Sequence, residues 1–247
     1  MIRYLAMALE QLTDPRLRGV LLLGVLGALA IFALLWAAVW WLLLAFDPSA
    51  VWGLSTIVEW FGEAFDWIAG AAFIGAMLVA TFLMFPAVVT IVVGLFLDRV
   101  ADAVEARHYR DLGPPRAQPL GETLLSTVKF AVVVVLLNIL VLPLYLALIL
   151  VPGGSLVLYY LLNGYLVGRE FFELAGFRRL PAGEATRLRR AYRSRVLIAG
   201  IVVTVMMTIP VVNLLAPVVG TAFMVHVVHD LMRRRRIVPV PGGTGGG

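Results

Sequence analysis

Two uninterrupted apolar runs dominate the first hundred residues. Residues 19 to 45 carry no charge over 27 positions, and residues 67 to 97 carry none over 31; each exceeds the roughly 20 apolar residues that cross a bilayer as a helix. Between them stand only acidic charges, Asp47, Glu59, Glu63 and Asp66. Ahead of the first run, Ile2, Leu5, Leu9 and Leu12 recur at helical spacing, with Arg3, Glu10 and Gln11 elsewhere on the wheel. That pattern predicts a short helix lying on a membrane surface or packed on protein. Thr13-Asp14-Pro15 then supplies a helix start, since Thr13 or Asp14 can cap and Pro15 fits a first helical position whose missing N–H costs nothing. The second apolar run is expected to outlast the membrane, continuing through the amphipathic residues 98 to 108 until Gly113-Pro114-Pro115 stops it. On that extension Val100, Val104 and His108 share one face and Asp98, Asp102 and Glu105 another, a pattern that suits a salt-bridged protein contact or part of an ion entrance.

The remaining apolar residues form two hairpins. In the first, residues 130 to 151 are long enough to cross but are interrupted by Asn138 and Pro143, turn at Pro152-Gly153-Gly154-Ser155, and return through about 14 residues before Arg169. In the second, residues 196 to 212 lead to Pro210, Asn213 and Pro217, and then to residues 218 to 229. Return arms this short, at 1.5 Å per residue, cover about 20 Å of a hydrocarbon core about 30 Å thick. Hairpins that enter and leave from one side therefore fit as well as full crossings. Broken backbone at that depth needs a covering of protein or a water-filled cavity, and discontinuous helices are where transporters place their sites. The same prolines fit ordinary helix kinks. The expected fold is an all-α integral membrane protein with two long transmembrane helices and two short-armed helical hairpins that either half-penetrate or span the bilayer. A single helical membrane domain over residues 1–236 precedes a Pro- and Gly-rich flexible tail at 237–247.

Composition agrees: 62% of residues are apolar, 14% are charged, and the mean hydropathy is +0.97, where soluble domains average about 25% charged. The first apolar run is far longer than the 7 to 15 residues of a signal-peptide core, so it is expected to stay as an anchor. All 20 Lys and Arg residues lie outside residues 19 to 98. Because positive loops stay in the cytoplasm, both termini are expected there, with the acidic link outside. The net charge of +5 is juxtamembrane, which points to anionic lipid headgroups rather than nucleic acid. With no cysteine, disulfides, thiolate metal sites and cysteine nucleophiles are excluded.

Asn163 to Glu173 is the most structured polar stretch. Gly164 and Gly168 form a small-xxx-small pair that permits close helix approach; Arg169 and Glu173 stand at i, i+4 and can pair, with Glu170 on a neighbouring face. Ionisable groups at the edge of an apolar zone serve as structural partners or as parts of a solute path. Arg178, Arg179, Arg187, Arg189, Arg190, Arg193 and Arg195 follow, opposed only by Glu184. They suit a positive-inside loop on headgroups, or a surface that concentrates an anion. Asn138, Asn163, Thr204, Thr208 and Asn213 are candidates to line a path or to glue helices together. His226 and His229, with Asp230 adjacent, make at most a partial metal site lacking a clear third ligand; no metal site, cofactor or catalytic residue is assigned. No hydrolase, zinc-protease or phosphate-loop motif occurs. Arg233 to Arg236, followed by Pro239, Pro241 and glycines, suits a membrane-edge anchor leading into disorder.

Several of these pieces resemble the CysZ-type sulfate permeases of the broader etoposide-induced-protein superfamily. They are the segment from Asn163-Gly164-Tyr165-Leu166 to Phe172-Glu173, the Glu105-Ala106-Arg107 end of the second long helix, and Ile209-Pro210-Val211-Val212-Asn213-Leu214-Leu215-Ala216-Pro217 followed by Gly220-Thr221-Ala222. The resemblance covers most of the chain and implies a bacterial inner-membrane protein, assembled as a homo-oligomer, that takes up sulfate for cysteine synthesis. It implies an anion site resembling a Gly-apolar-Arg-Arg stretch after a proline. Here Pro15-Arg16-Leu17-Arg18-Gly19 stands, so Arg18 matches the first arginine, Arg16 replaces the glycine, and Gly19 replaces the second arginine. Arg16, Leu17, Arg18 and Gly19 are therefore the candidate substrate-binding residues. Glu105, Arg107, Asn163, Arg169, Glu170 and Glu173 are candidates for an ion entrance; Asn138, Pro143, Pro210, Asn213 and Pro217 are candidates for a path through the hairpins. The expected function is a permease for sulfate or a related oxyanion, the alternative a non-transporting membrane scaffold or lipid-interacting protein.

Overall fold

The first long apolar run becomes one continuous helix, and the second does so as far as Gly94, because a backbone away from water must satisfy its own N–H and C=O groups. The computed structural model describes residues 1–45 and 54–237. Among them run α1 (Ile2–Glu10), α2 (Pro15–Ala45), α3 (Leu54–Gly94), α4 (Leu97–His108), α5 (Leu120–Leu148), α6 (Gly154–Phe177), α7 (Ala182–Ala191), α8 (Arg193–Thr208), α9 (Pro210–Asn213) and α10 (Ala216–Arg234). No strand occurs among the described residues. Asp47 and the tail beyond residue 237, with Pro239 and Pro241, lie outside them.

Three stretches are long and apolar enough to cross a membrane: Pro15–Trp41, Gly70–Gly94 and Leu124–Leu148, with mean hydropathies of 2.7, 2.5 and 2.7. None of the last is buried in the protein, as a lipid-facing helix requires. A fourth candidate is α7 with α8, which meet at a 90° bend. The chain is thus an all-α, multi-pass membrane protein.

The chain divides into two compact units, residues 22–93 and residues 1–21 with 94 onward. In the first, α2 and α3 pair antiparallel in a constant register: Gly24 faces Val93, Phe32 faces Phe85 with ring centroids 6.2 Å apart, and Trp36 Nε1 donates to Thr81 Oγ1 at 3.1 Å. A Cβ on Gly24 would overlap the Val93 side chain, so glycine sets the spacing there.

In the second unit α10 is the core, with Val218, Val219, Met224, Val228 and Leu231 fully buried. It packs against α1, α4, α6 and α8. Backbone meets backbone where α6 crosses α8: a Cβ on Gly200 would overlap Gly164 O and lie 2.6 Å from Gly168 Cα, and one on Gly168 would lie 2.6 Å from Val196 O. The small-xxx-small pair therefore does what its spacing predicts.

Four boundaries differ from the expectations. The second long helix breaks at Leu95-Phe96 and ends at His108, short of Gly113. Helix α3 starts at Leu54, so Glu59, Glu63 and Asp66 belong to a helix rather than a link. Neither Asn138 nor Pro143 interrupts α5: Asn138 Nδ2 donates to Val134 O at 2.8 Å on its own helix, and a proline deletes only one helical N–H donor. Pro210 instead begins α9 and Pro217 stands in the first turn of α10, the position that proline favours. The turn between α5 and α6 carries Gly153 at φ +77°, a left-handed conformation that favours glycine.

Candidate functional site

The candidate anion-binding turn joins α1 to α2, and Asp14 organises it. Asp14 Oδ1 accepts from Arg16 N–H at 2.9 Å and Asp14 O from Arg18 N–H at 3.0 Å, so Asp14 is the cap, while the Thr13 hydroxyl turns back to Glu10 O at 2.8 Å. Leu17 is fully buried and anchors the turn; Arg16 and Arg18 are exposed, and Gly19 is half-buried with open space about it. Arg107, from the last turn of α4, reaches Asp14 Oδ2 at 3.8 Å. Arg18 Nε meets Leu12 O at 3.4 Å, and neither Arg16 nor Arg18 is paired with a carboxylate among the described residues. The structure thus brings Arg16, Arg18 and Arg107 to one capped turn whose single carboxylate stands at the helix N-terminus, the place a bound anion would favour.

Glu105 points from the other side of α4 into a buried charge hub. Its carboxylate accepts from Arg179 Nε at 2.9 Å and Nη2 at 2.7 Å, from Arg178 Nη2 at 3.3 Å, and lies 3.1 Å from His229 Nε2. Arg178 also binds Asp98 at 3.1 Å and Asp102, so the acidic face of α4 forms a salt-bridged contact. Arg179 Nη1 donates to Gly113 O at 2.7 Å. The Tyr109 ring stacks on His229 at 4.0 Å, and its hydroxyl lies 2.9 Å from His226 Nδ1. Burial alone would raise the Glu105 pKa; hydrogen bonds from His229 and Arg179 and the charges of Arg178 and Arg179 overcome it and lower the value to about 2. His226 is pushed down to about 3, first by burial and then by His108, His229 and Arg233. Burial lifts Tyr109 to about 12.

Arg169 and Glu173 line a third feature, a cavity of about 850 Å³ between α5, α6, α7 and α8. Their expected ion pair forms at 2.7 Å. Phe130 lies 5.3 Å beneath the Arg169 guanidinium, and Arg189 Nε approaches Glu173 at 3.8 Å. Lys129, Arg190 and Arg193 share the lining. Helix α7 is aimed by Glu122, which accepts from Ala182 N–H at 2.8 Å and pairs with Arg116.

The other candidates do not converge. Asn163 Nδ2 donates to Tyr159 O at 3.0 Å, Thr204 to Gly200 O at 2.8 Å and Thr208 to Val205 O at 2.7 Å, each on its own helix. Glu170 and Pro143 are exposed, and Asn213 is half-buried beside Pro210 at the α8–α10 break. His226, His229 and Asp230 face separate partners, Asp230 taking Arg234 at 2.8 Å and Arg195 at 3.4 Å. No group of three His, Cys, Asp or Glu residues able to hold a metal occurs among the described residues. Sequence reasoning missed Arg178, Arg179 and His229 as partners of Glu105. The available signal was the three-acid face of α4, which needs cations from elsewhere in the chain.

Compared with known families, residues 4–217 match the model described as sulfate transporter CysZ/etoposide-induced protein 2.4. No curated protein matches the chain.

Proposed function

The chain belongs to the sulfate transporter CysZ/etoposide-induced protein 2.4 family, and from that membership we propose a membrane permease for sulfate or a related oxyanion. The family match over residues 4–217 is the observation that carries the proposal. It acts in a bacterial inner membrane, as a homo-oligomer with both termini cytoplasmic, and the sulfate it admits feeds cysteine synthesis. Its basic loops sit among anionic headgroups.

The turn from Asp14 to Gly19 captures the anion. Arg16 and Arg18 are exposed without carboxylate partners among the described residues, and Arg107 is held nearby only by a 3.8 Å contact to Asp14. An arriving dianion gains charge-assisted hydrogen bonds from these guanidinium groups and competes with the Asp14 carboxylate for the start of α2. Transport of this kind makes and breaks no covalent bond, so no residue is given a catalytic role.

Purified protein in liposomes is expected to take up labelled sulfate. Arg18→Ala should cut uptake at low sulfate by about tenfold, the effect of losing a charged hydrogen bond of roughly 1.5 kcal/mol or more, and Asp14→Asn should tighten sulfate binding. Sulfate at 100 times its dissociation constant should add about 2.7 kcal/mol to stability. No uptake above empty liposomes would overturn the proposal in favour of a non-transporting scaffold.

A further inference from the structure

The basic cavity does not end at its arginines. A second cavity of about 530 Å³ runs along α5 and α6, lined by Leu136, Leu137, Val141, Leu158 and Leu161 among others, with no charged group in its wall. Val133 and Tyr165 line both cavities, so the charged chamber opens directly into an apolar groove. The groove lies alongside Leu124–Leu148, the helix segment with the apolar length of a membrane span. The joint space is polar at one end and hydrocarbon-like at the other.

The chamber also has cationic capacity to spare. Its one carboxylate, Glu173, is engaged by Arg169 and approached by Arg189. Lys129, Arg190 and Arg193 have no ion pair among the described residues, and Arg189 Nε is buried without a hydrogen bond. At about 850 Å³, the chamber alone is near the top of the range for drug-sized ligands, roughly 300–1,000 Å³. A lone tetrahedral oxyanion would touch only a fraction of that wall and would leave the groove unused.

We propose that the joined cavities bind one anionic glycerophospholipid, its phosphate held by Lys129, Arg190 and Arg193 and an acyl chain laid along the α5–α6 groove. This is a defined site, beyond the general attraction of basic loops for headgroups. Cations at a headgroup each contribute about fivefold in affinity, and each buried methylene contributes about fourfold. The site is separate from Arg16 and Arg18, so its test is independent of sulfate transport.

The test is native mass spectrometry of the full chain released from detergent containing phosphatidylglycerol or phosphatidylcholine with the same acyl chains. The wild type is expected to retain one phosphatidylglycerol per chain, at least about tenfold over phosphatidylcholine. The double variant Arg190→Gln/Arg193→Gln should lose that preference by on the order of twentyfold. Leu158→Trp, which fills the groove and leaves every charge in place, should also lower phosphatidylglycerol retention, and it decides alone if the arginine variant is not recovered folded. Millimolar inorganic phosphate should not displace the lipid. Equal retention of the two lipids, full displacement by phosphate, or undiminished binding in Leu158→Trp would each overturn the proposal, the second by identifying a site for a free anion.

Discussion

Glu105→Gln isolates the energy of the buried hub. Glutamine keeps the shape and one acceptor oxygen but removes the charge facing Arg179, for which Glu105 is the only carboxylate partner among the described residues; Arg178 keeps Asp98 and Asp102. Removing one member of a buried ion pair costs about 3–5 kcal/mol, because the remaining charge is uncompensated. The pKa gives the same scale. A fall from 4.5 to about 2 corresponds to about 3 kcal/mol of preferential stabilisation of the carboxylate. The sign follows from the folded value lying below the ordinary one: the contribution is present above about pH 4.5 and is lost as pH falls toward 2. For a chain of this size each kcal/mol moves Tm by about 2–4 °C, so Glu105→Gln should lower it by roughly 6–20 °C. All seven tyrosines lie in the unit that contains Glu105 and all six tryptophans in the other. Selectively excited tryptophan fluorescence in detergent therefore reports the other unit alone, and a melt seen by dichroism but not by that fluorescence follows the affected unit. Arg179→Gln should cost much less in the Glu105→Gln background than alone. A Tm change under about 2 °C, or strictly additive single effects, would refute the coupling.

His226 has a folded pKa of about 3 against 6.5, so it opposes protonation and its share of stability is lost as pH falls from 6.5 toward 3. That slope of up to about 1.4 kcal/mol per pH unit should be missing in His226→Gln, as measured by urea unfolding between pH 7 and 5. Gly200→Ala places a Cβ into Gly164 O and against Gly168, backbone that cannot rotate aside. It should cost about 3 kcal/mol or more, whereas Gly183→Ala, with open space around it, should be neutral or stabilising in a thermal melt.

Features written in consecutive residues were legible. Pro15 marks the start of α2, and Arg169 and Glu173 pair one turn apart on α6. Gly164 and Gly168 announced a close approach, but nothing in their spacing identifies Gly200 as the opposing residue. The break at Leu95-Phe96 carries no proline, and its preceding Gly94 is one of many glycines in apolar runs. Arg178 and Arg179 look like loop cations because their carboxylate stands more than 70 positions away; local charge balance says nothing of a tertiary partner. Pro143 misled in the opposite direction. A helix with no buried residue from Leu124 to Leu148 can bend at a proline without unwinding. Pro15 sets the turn holding Arg16 to Gly19 at the start of α2, but the role of Asp14 as an internal carboxylate at its centre emerges only from the folded geometry.

The glycine contact between α6 and α8 has a kinematic consequence. Two helices whose backbones touch have no side-chain layer between them to shear, so neither can slide or rotate without driving the other. The two hairpins meeting there act as a single lever, with Arg169 directly beside the fulcrum on α6 and its partner Glu173 about one turn beyond. Displacement at that end of α6 is transmitted to Thr204 and the α8–α10 break instead of being absorbed locally. Rearrangement of this unit then falls to the elements bordering the lever, of which α5, with no buried residue from Leu124 to Leu148, meets the least resistance.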